Sequence, residues 1–147
     1  MSNSNEIAIG VAYLDQDIIG SNYSLVSAQT GQLGYNTGSA TAVPAAVTQA
    51  TSKSTGVTIN APCGTITMNN AAMLTTAIVS FTVTNSYVSA YDIPVIAIKS
   101  GGTAGGYSMD IGAVAAGSFS VTIQNITGST LTEAIVLSFA LVHIAQQ

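Results

Sequence analysis

The stretch Ile78-Val-Ser-Phe-Thr-Val-Thr-Asn85 decides the fold class. Val79, Phe81 and Val83 alternate with Ser80, Thr82 and Thr84, and successive side chains of a strand point to opposite faces. Such a segment turns one face to an apolar core and leaves the other to water or to a neighbour. The same period of two runs outward on both sides. Toward the C-terminus, Tyr107, Met109, Ile111 and Ala113 alternate with Ser108, Asp110 and Gly112, and Phe119, Val121 and Ile123 alternate with Ser118, Ser120, Thr122 and Gln124. Residues 93–99 are apolar on both faces and carry Pro94, which marks a strand start or a sheet edge. Residues 134–144 are apolar on both faces over much of their length, as expected of a central or doubly covered strand. Toward the N-terminus, Ile66 and Met68 oppose Thr65 and Thr67, and residues 57–60 open the pattern. Punctuation at Asn69-Asn70, Asn85-Ser86, Gly101-Gly102, Gly117 and Thr127-Gly128 separates these runs. The expected fold is all-β: a jelly-roll-like antiparallel β-sandwich over residues 46–147, with one short helical turn at most near residues 70–74.

Residues 1–45 read differently, as an extended N-terminal arm and linker. Ile7, Ile9, Val11, Tyr13, Leu14, Ile18 and Ile19 form a mixed apolar segment. Residues 21–44 follow, rich in Ser, Thr, Gly, Asn, Gln and Ala without a strong period. The apolar groups of the arm must be buried somewhere. Either they add a strand to the sandwich or they dock on another subunit or protein, and the low-complexity stretch between arm and body favours docking.

Composition narrows the function. The chain has 147 residues, 48% of them apolar and only 5% charged, against about 25% charged in an ordinary soluble domain. That length suits one core. Two lysines, no arginine and six acids give a net charge of -4, so a nucleic-acid partner is not expected, because phosphate backbones are bound by clusters of Lys and Arg. The apolar content argues against disorder. No run reaches the roughly 18 apolar residues of a membrane-spanning helix, so no membrane partner is expected either. The N-terminus lacks the basic region of a secretory signal, and Cys63 is a lone cysteine; both fit synthesis in a cytoplasm. Strand faces built from Ser and Thr instead of Lys and Glu suit contact surfaces, where long charged side chains are depleted. A symmetric homo-oligomer, such as a homotrimer, would cover them and close exposed sheet edges.

The residues able to carry chemistry do not assemble into a catalytic pattern. Asp15 and Asp17 flank Gln16, yet calcium takes six to eight oxygens and no further acid lies near. His143 is the only histidine; without a nucleophile elbow beside it, a hydrogen-bonded or interface role is expected over catalysis. Cys63 lacks a second thiol or a basic neighbour and reads as a small buried hydrophobe. The glycines at 101, 102, 105 and 106 miss the spacing of a phosphate loop and read as turn residues. Asn22-Tyr-Ser24 and Asn125-Ile-Thr127 match the glycosylation sequon but have no secretory route. Among the six tyrosines, Tyr87 and Tyr91 flank an expected loop tip and are the candidates for stacking on a sugar. No catalytic residue, metal or cofactor is expected.

Several phrases carry a resemblance. Val47-Thr-Gln-Ala-Thr-Ser-Lys-Ser-Thr-Gly-Val-Thr-Ile-Asn60, Cys63-Gly-Thr-Ile-Thr67, Val79-Ser-Phe-Thr-Val-Thr-Asn85, Gly117-Ser-Phe-Ser-Val-Thr-Ile-Gln-Asn-Ile-Thr-Gly128 and Glu133-Ala-Ile-Val-Leu-Ser-Phe139 resemble small virion proteins of tailed bacteriophages, the head decoration or cement proteins and related fibre knobs. The resemblance implies a trimer on a capsid surface, with an N-terminal arm reaching the major capsid protein. The expected function is therefore structural and non-enzymatic: a homotrimer that decorates and stabilises a capsid, docking through Ile7, Ile9, Val11, Tyr13, Leu14, Ile18 and Ile19. The rival expectation is a fibre or tail-tip knob that binds a host surface glycan through Tyr87 and Tyr91.

Overall fold

The computed structural model describes residues 44–144 and, before them, one short strand pair in which β1 (Tyr23–Ser24) runs antiparallel to β2 (Gly34–Tyr35). The chain divides into two compact units, Met1–Ala42 and Val43–Gln147. The second begins slightly ahead of the boundary expected at Ala46, because β3 (Ala45–Thr48) pairs with β5 (Cys63–Thr67) and so belongs to the body. The apolar arm residues Ile7, Ile9, Val11, Tyr13, Leu14, Ile18 and Ile19 lie outside the described residues.

The body is a β-sandwich. Its other strands are β4 (Val57–Thr58), β6 (Ile78–Thr84), β7 (Ile93–Ser100), β8 (Tyr107–Ala115), β9 (Ser118–Asn125) and β10 (Val136–Val142). One sheet has the order β3-β5-β10-β7 and the other β4-β6-β9-β8. The inner pairings are antiparallel as expected, but β3 beside β5 and β4 beside β6 are parallel. Each sheet is thus mixed, with its parallel strand at one edge. The cause is connectivity: from β3 to β8 each strand crosses to the opposite sheet, and a crossover brings the chain back in the same direction where a hairpin would reverse it. Residues 70–74 hold no helical turn. They run instead to an isolated bridge between Met73 and Leu131.

The alternation read from the sequence becomes the core. Ile66, Leu137, Phe139 and Leu141 from one sheet meet Phe81, Val83, Phe119, Val121 and Ile123 from the other, all buried. Phe119 and Phe139 join the layers, their ring centroids 5.8 Å apart at 53°, a tilted arrangement that aromatic quadrupoles favour. Gly64 sits under this layer for a steric reason: a Cβ there would lie 2.6 Å from the Ala45 carbonyl oxygen and 2.8 Å from Ile59 Cδ1.

Two buried asparagines close strand ends. Asn85, just after β6, donates to the Ala61 carbonyl and accepts from Tyr87 N–H. Asn125, at the end of β9, donates to the carbonyls of Met73, Leu74 and Ser129 and accepts from Thr127 N–H and its hydroxyl. Both are fully buried, so these partners replace the water that a buried amide would otherwise lack. The sequon at Asn125 is therefore a structural turn. Lys53 is buried as well, donating to the carbonyls of Asn69 at 2.7 Å and Glu133 at 2.5 Å. Gln49 completes this knot by donating to the carbonyls of Lys53 and Thr55 while accepting from Asn69 N–H.

Candidate interaction surfaces

The outer faces of the two sheets follow from the register. In the β3-β5-β10-β7 sheet, Ala140 stands between Cys63 and Val95, Ser138 between Thr65 and Ala97, and Val142 beside Ile93. Ala46 and Thr48 extend the same face. Ile93, Val95 and Val142 are 55%, 53% and 48% exposed, far more than strand valine and isoleucine ordinarily are. The face holds no carboxylate, and Lys99 lies only at its margin, where β7 and β10 shift register.

The β4-β6-β9-β8 sheet presents the opposite chemistry. Ser80 faces Thr122, Thr82 faces Ser120 and Thr84 faces Ser118, and Asp110 lies beside Thr122. The hydroxyls of Ser80 and Thr122 are 2.7 Å apart and bonded to one another. Between Ile111 and Val114 the β8 register shifts. Ala113 N–H there donates to Ser120 Oγ, which stands where a Cβ on Gly112 would come within 2.6 Å. This bulge bends β8 and blunts its edge.

At one corner of the apolar face lies a polar anchor. Asp92 is buried just ahead of β7, and its Oδ2 accepts from His143 Nδ1 at 2.8 Å, just past β10. Ser89 donates to Asp92 through both its N–H and its hydroxyl, and Ile144 N–H adds a further bond. Burial raises the carboxyl, but the bonds from Ser89, His143 and Ile144 outweigh it and hold Asp92 below the ordinary aspartate value. The Ser89 hydroxyl spends its proton on this carboxylate. The Ser89, Asp92 and His143 grouping ties the start of β7 to the end of β10. Tyr87 and Tyr91 occupy the same loop, 42% and 63% exposed. Tyr87 N–H is held by Asn85 and Tyr91 N–H by Ser89 Oγ at 3.4 Å.

A second polar cluster ties loop to strand. Glu133 accepts from Thr103 N–H, Thr103 Oγ1 and the Tyr107 hydroxyl at 3.1, 2.5 and 2.6 Å. The Thr103 and Tyr107 bonds hold the Glu133 carboxyl below its usual range, while burial and the adjacent carboxylate push the Tyr107 phenol up. Burial lowers the Lys53 ammonium against the pull of Glu133. Burial likewise raises the Cys63 thiol, a disposition that suppresses thiolate reactivity.

The structure brings His143 to Asp92 and exposes Tyr87 and Tyr91 on one loop, but the arm residues and the Asp15 and Asp17 pair fall outside what it describes. Among the described residues no group of three His, Cys, Asp or Glu side chains could hold a metal, and no helix is long and apolar enough to cross a membrane. The exposed half of β7 escaped the sequence reading. Two apolar faces do not tell which one is exposed; the strand start or sheet edge expected from Pro94 is where β7 lies. No protein-family model, no curated protein and no solved structure matches this chain.

Proposed function

We propose that this protein is a non-enzymatic structural component of a bacteriophage virion, a homotrimer that decorates the capsid and stabilises it by bridging major capsid protein subunits. The carrying observation is the uncharged, exposed outer face of the β3-β5-β10-β7 sheet, a surface suited to permanent contact and not to solvent. The all-β body accords with that role. The chain is made in the host cytoplasm and ends on the capsid surface, where Ile7, Ile9, Val11, Tyr13, Leu14, Ile18 and Ile19 form the docking segment. Stabilisation is mass-action linkage: a partner that binds only the assembled shell adds its binding free energy to that state. The test mixes full-length protein, and its Ile9→Asp and Val11→Asp variants, with undecorated capsids. Wild-type protein is expected to co-sediment and to raise the capsid disruption temperature, and the variants are expected to bind at least tenfold more weakly. Wild-type protein that ignores the shells overturns the reading.

A second reading rests on the exposure of Tyr87 and Tyr91 on one short loop. Paired exposed aromatics offer stacking surfaces for a sugar ring, as in a fibre or tail-tip knob. Glycan-dependent attachment to host cells that disappears with Tyr91→Ala supports this alternative; a blank glycan screen dismisses it.

A further inference from the structure

We infer that the outer face of the β3-β5-β10-β7 sheet is where copies of this chain meet, so that Ile93, Val95, Ala140 and Val142 of each copy turn toward the shared symmetry axis. The inference rests on the homo-oligomer part of the proposed function and assigns its interface.

Three observations select this face and this occupant. The first is charge. The protein is acidic, with a net charge of -4, so copies repel unless they approach by a surface free of carboxylates. Of the acids in the described residues, Asp110 is on the opposite sheet, Glu133 is bound to Thr103 and Tyr107, and Asp92 is buried against His143. The apolar face therefore lets two copies approach without setting like charges together. It offers no charge to attract a charged partner and no basic cluster for lipid headgroups.

The second observation is the edge. β7 has a strand neighbour on one side only among the described residues, which exposes its outer backbone groups. Leu141 N–H bonds toward β5, to the Pro62 carbonyl. Backbone groups alternate sides along a strand, so Ala140 and its partner Val95 bond to one another, and Pro94, Ile96 and Ile98 direct their backbone groups outward. Pro94 supplies no donor there, the register shift lies at the far end, and Lys99 is exposed beside it. Edgewise growth is thereby blunted, and contact through the face remains.

The third observation is size. Four strands about 4.8 Å apart, at about 3.3 Å per residue over a seven-residue β10, make a face of roughly 19 by 23 Å. Each copy therefore brings at most roughly 440 Å2 of this face toward the axis, and three copies together remove up to roughly 1,300 Å2, at the lower end of what specific association needs.

The test is sedimentation velocity on full-length wild-type protein and on Val95→Glu, Val142→Glu and, as the control on the opposite face, Thr82→Glu. All three positions are exposed, so the introduced charge stays solvated in the isolated chain. The expected wild-type mass is about 44 kDa, three chains of 14.8 kDa. Val95→Glu and Val142→Glu are expected to weaken association at least tenfold, with Thr82→Glu unchanged. An independent readout needs no substitution: alkylation of Cys63, which lies on the face beside Ala140, is expected to slow several-fold as protein concentration rises through the association range. A wild-type oligomer that survives both valine substitutions, with Cys63 labelling independent of concentration, overturns the assigned face and leaves the homo-oligomer standing. A monomeric wild-type chain overturns both.

Discussion

The two outer faces of the sandwich are built on the same alternation and end in opposite chemistry. On β6 and β9 the outward residues are Ile78, Ser80, Thr82, Thr84, Ser118, Ser120, Thr122 and Gln124, mostly hydroxyl-bearing; on β7 and β10 they are Ile93, Val95, Ala97, Ser138, Ala140 and Val142, mostly apolar. The Ser80 and Thr122 hydroxyls bond to one another, and Ser120 Oγ accepts from Ala113 N–H, so these groups are satisfied within the sheet. Ile and Val gain nothing from water. An inward face is constrained by the common core, whereas an outward face is free to record what the protein touches.

If that division holds, core substitutions should not distinguish the sheets. Phe119→Ala in the hydroxyl sheet and Phe139→Ala in the apolar sheet each remove one ring from the pair that joins the layers. Each is expected to cost about 3–5 kcal/mol in denaturant unfolding. Unfolding transitions that separate when followed by different probes would mean that the sheets do not share one cooperative core.

The next effect sits at the margin between core and surface. Lys53→Met keeps the length of the stem but leaves the Asn69 and Glu133 carbonyls without their donor. Unsatisfied buried acceptors cost about 1–3 kcal/mol, so a loss in that range is expected by the same measurement. A neutral outcome would show that water replaces the ammonium.

How much of this was legible depended on which face a residue serves. The alternation in residues 78–85 and 118–124 specified burial directly, because core contact leaves only one consistent pattern. Of the two expectations for the doubly apolar residues 134–144, central or doubly covered, the central one holds, since β10 lies between β5 and β7. The outward half of residues 93–99 was not legible as exposed, because Ile93 and Val95 look the same whether a second layer or a partner covers them. The Asp92 and His143 pair was equally hidden. Their 51-residue separation becomes contact only through the pairing of Ile93 with Val142. The parallel edges also escaped, since alternation carries no information on strand direction.

Acid sharpens the comparison at the corner where the apolar face ends. Asp92 is held below its ordinary value by Ser89, His143 and Ile144. A carboxyl depressed in the folded state contributes stability above its unfolded value, and that contribution is lost as pH falls through the folded one. Lowering the pH below about 4, the ordinary aspartate range, is therefore expected to destabilise wild-type protein more steeply than Asp92→Asn. Protection of the Ile93 and Ile144 amides from hydrogen exchange is expected to fall first, while Phe81 and Val121, bonded to one another across β6 and β9, hold theirs. Identical acid limbs for the two proteins would remove Asp92 from the account.

The smallest effect is a gain, and it lies at the far end of the hydroxyl sheet. Thr76 has φ of 60°, in the left-handed region where a β-branched residue is strained. Ala77 N–H bonds to the Leu74 carbonyl, which makes Thr76 the third residue of a tight turn that favours glycine at that position. The turn is held from outside: Asn125 donates to the Leu74 carbonyl, and the Thr75 hydroxyl donates to the carbonyl of Thr127. Leu74 and Ile78 on either side are 63% and 62% exposed. Thr76→Gly relieves about 1–2 kcal/mol of left-handed strain and gives back part of it through the greater freedom of the unfolded chain. The expected net is a stabilisation of about 0.5–1 kcal/mol, with assembly unchanged because the turn is remote from the β7 and β10 face. A stabilised variant that also loses its oligomer would place a contact at this turn and break the division of labour between the two sheets.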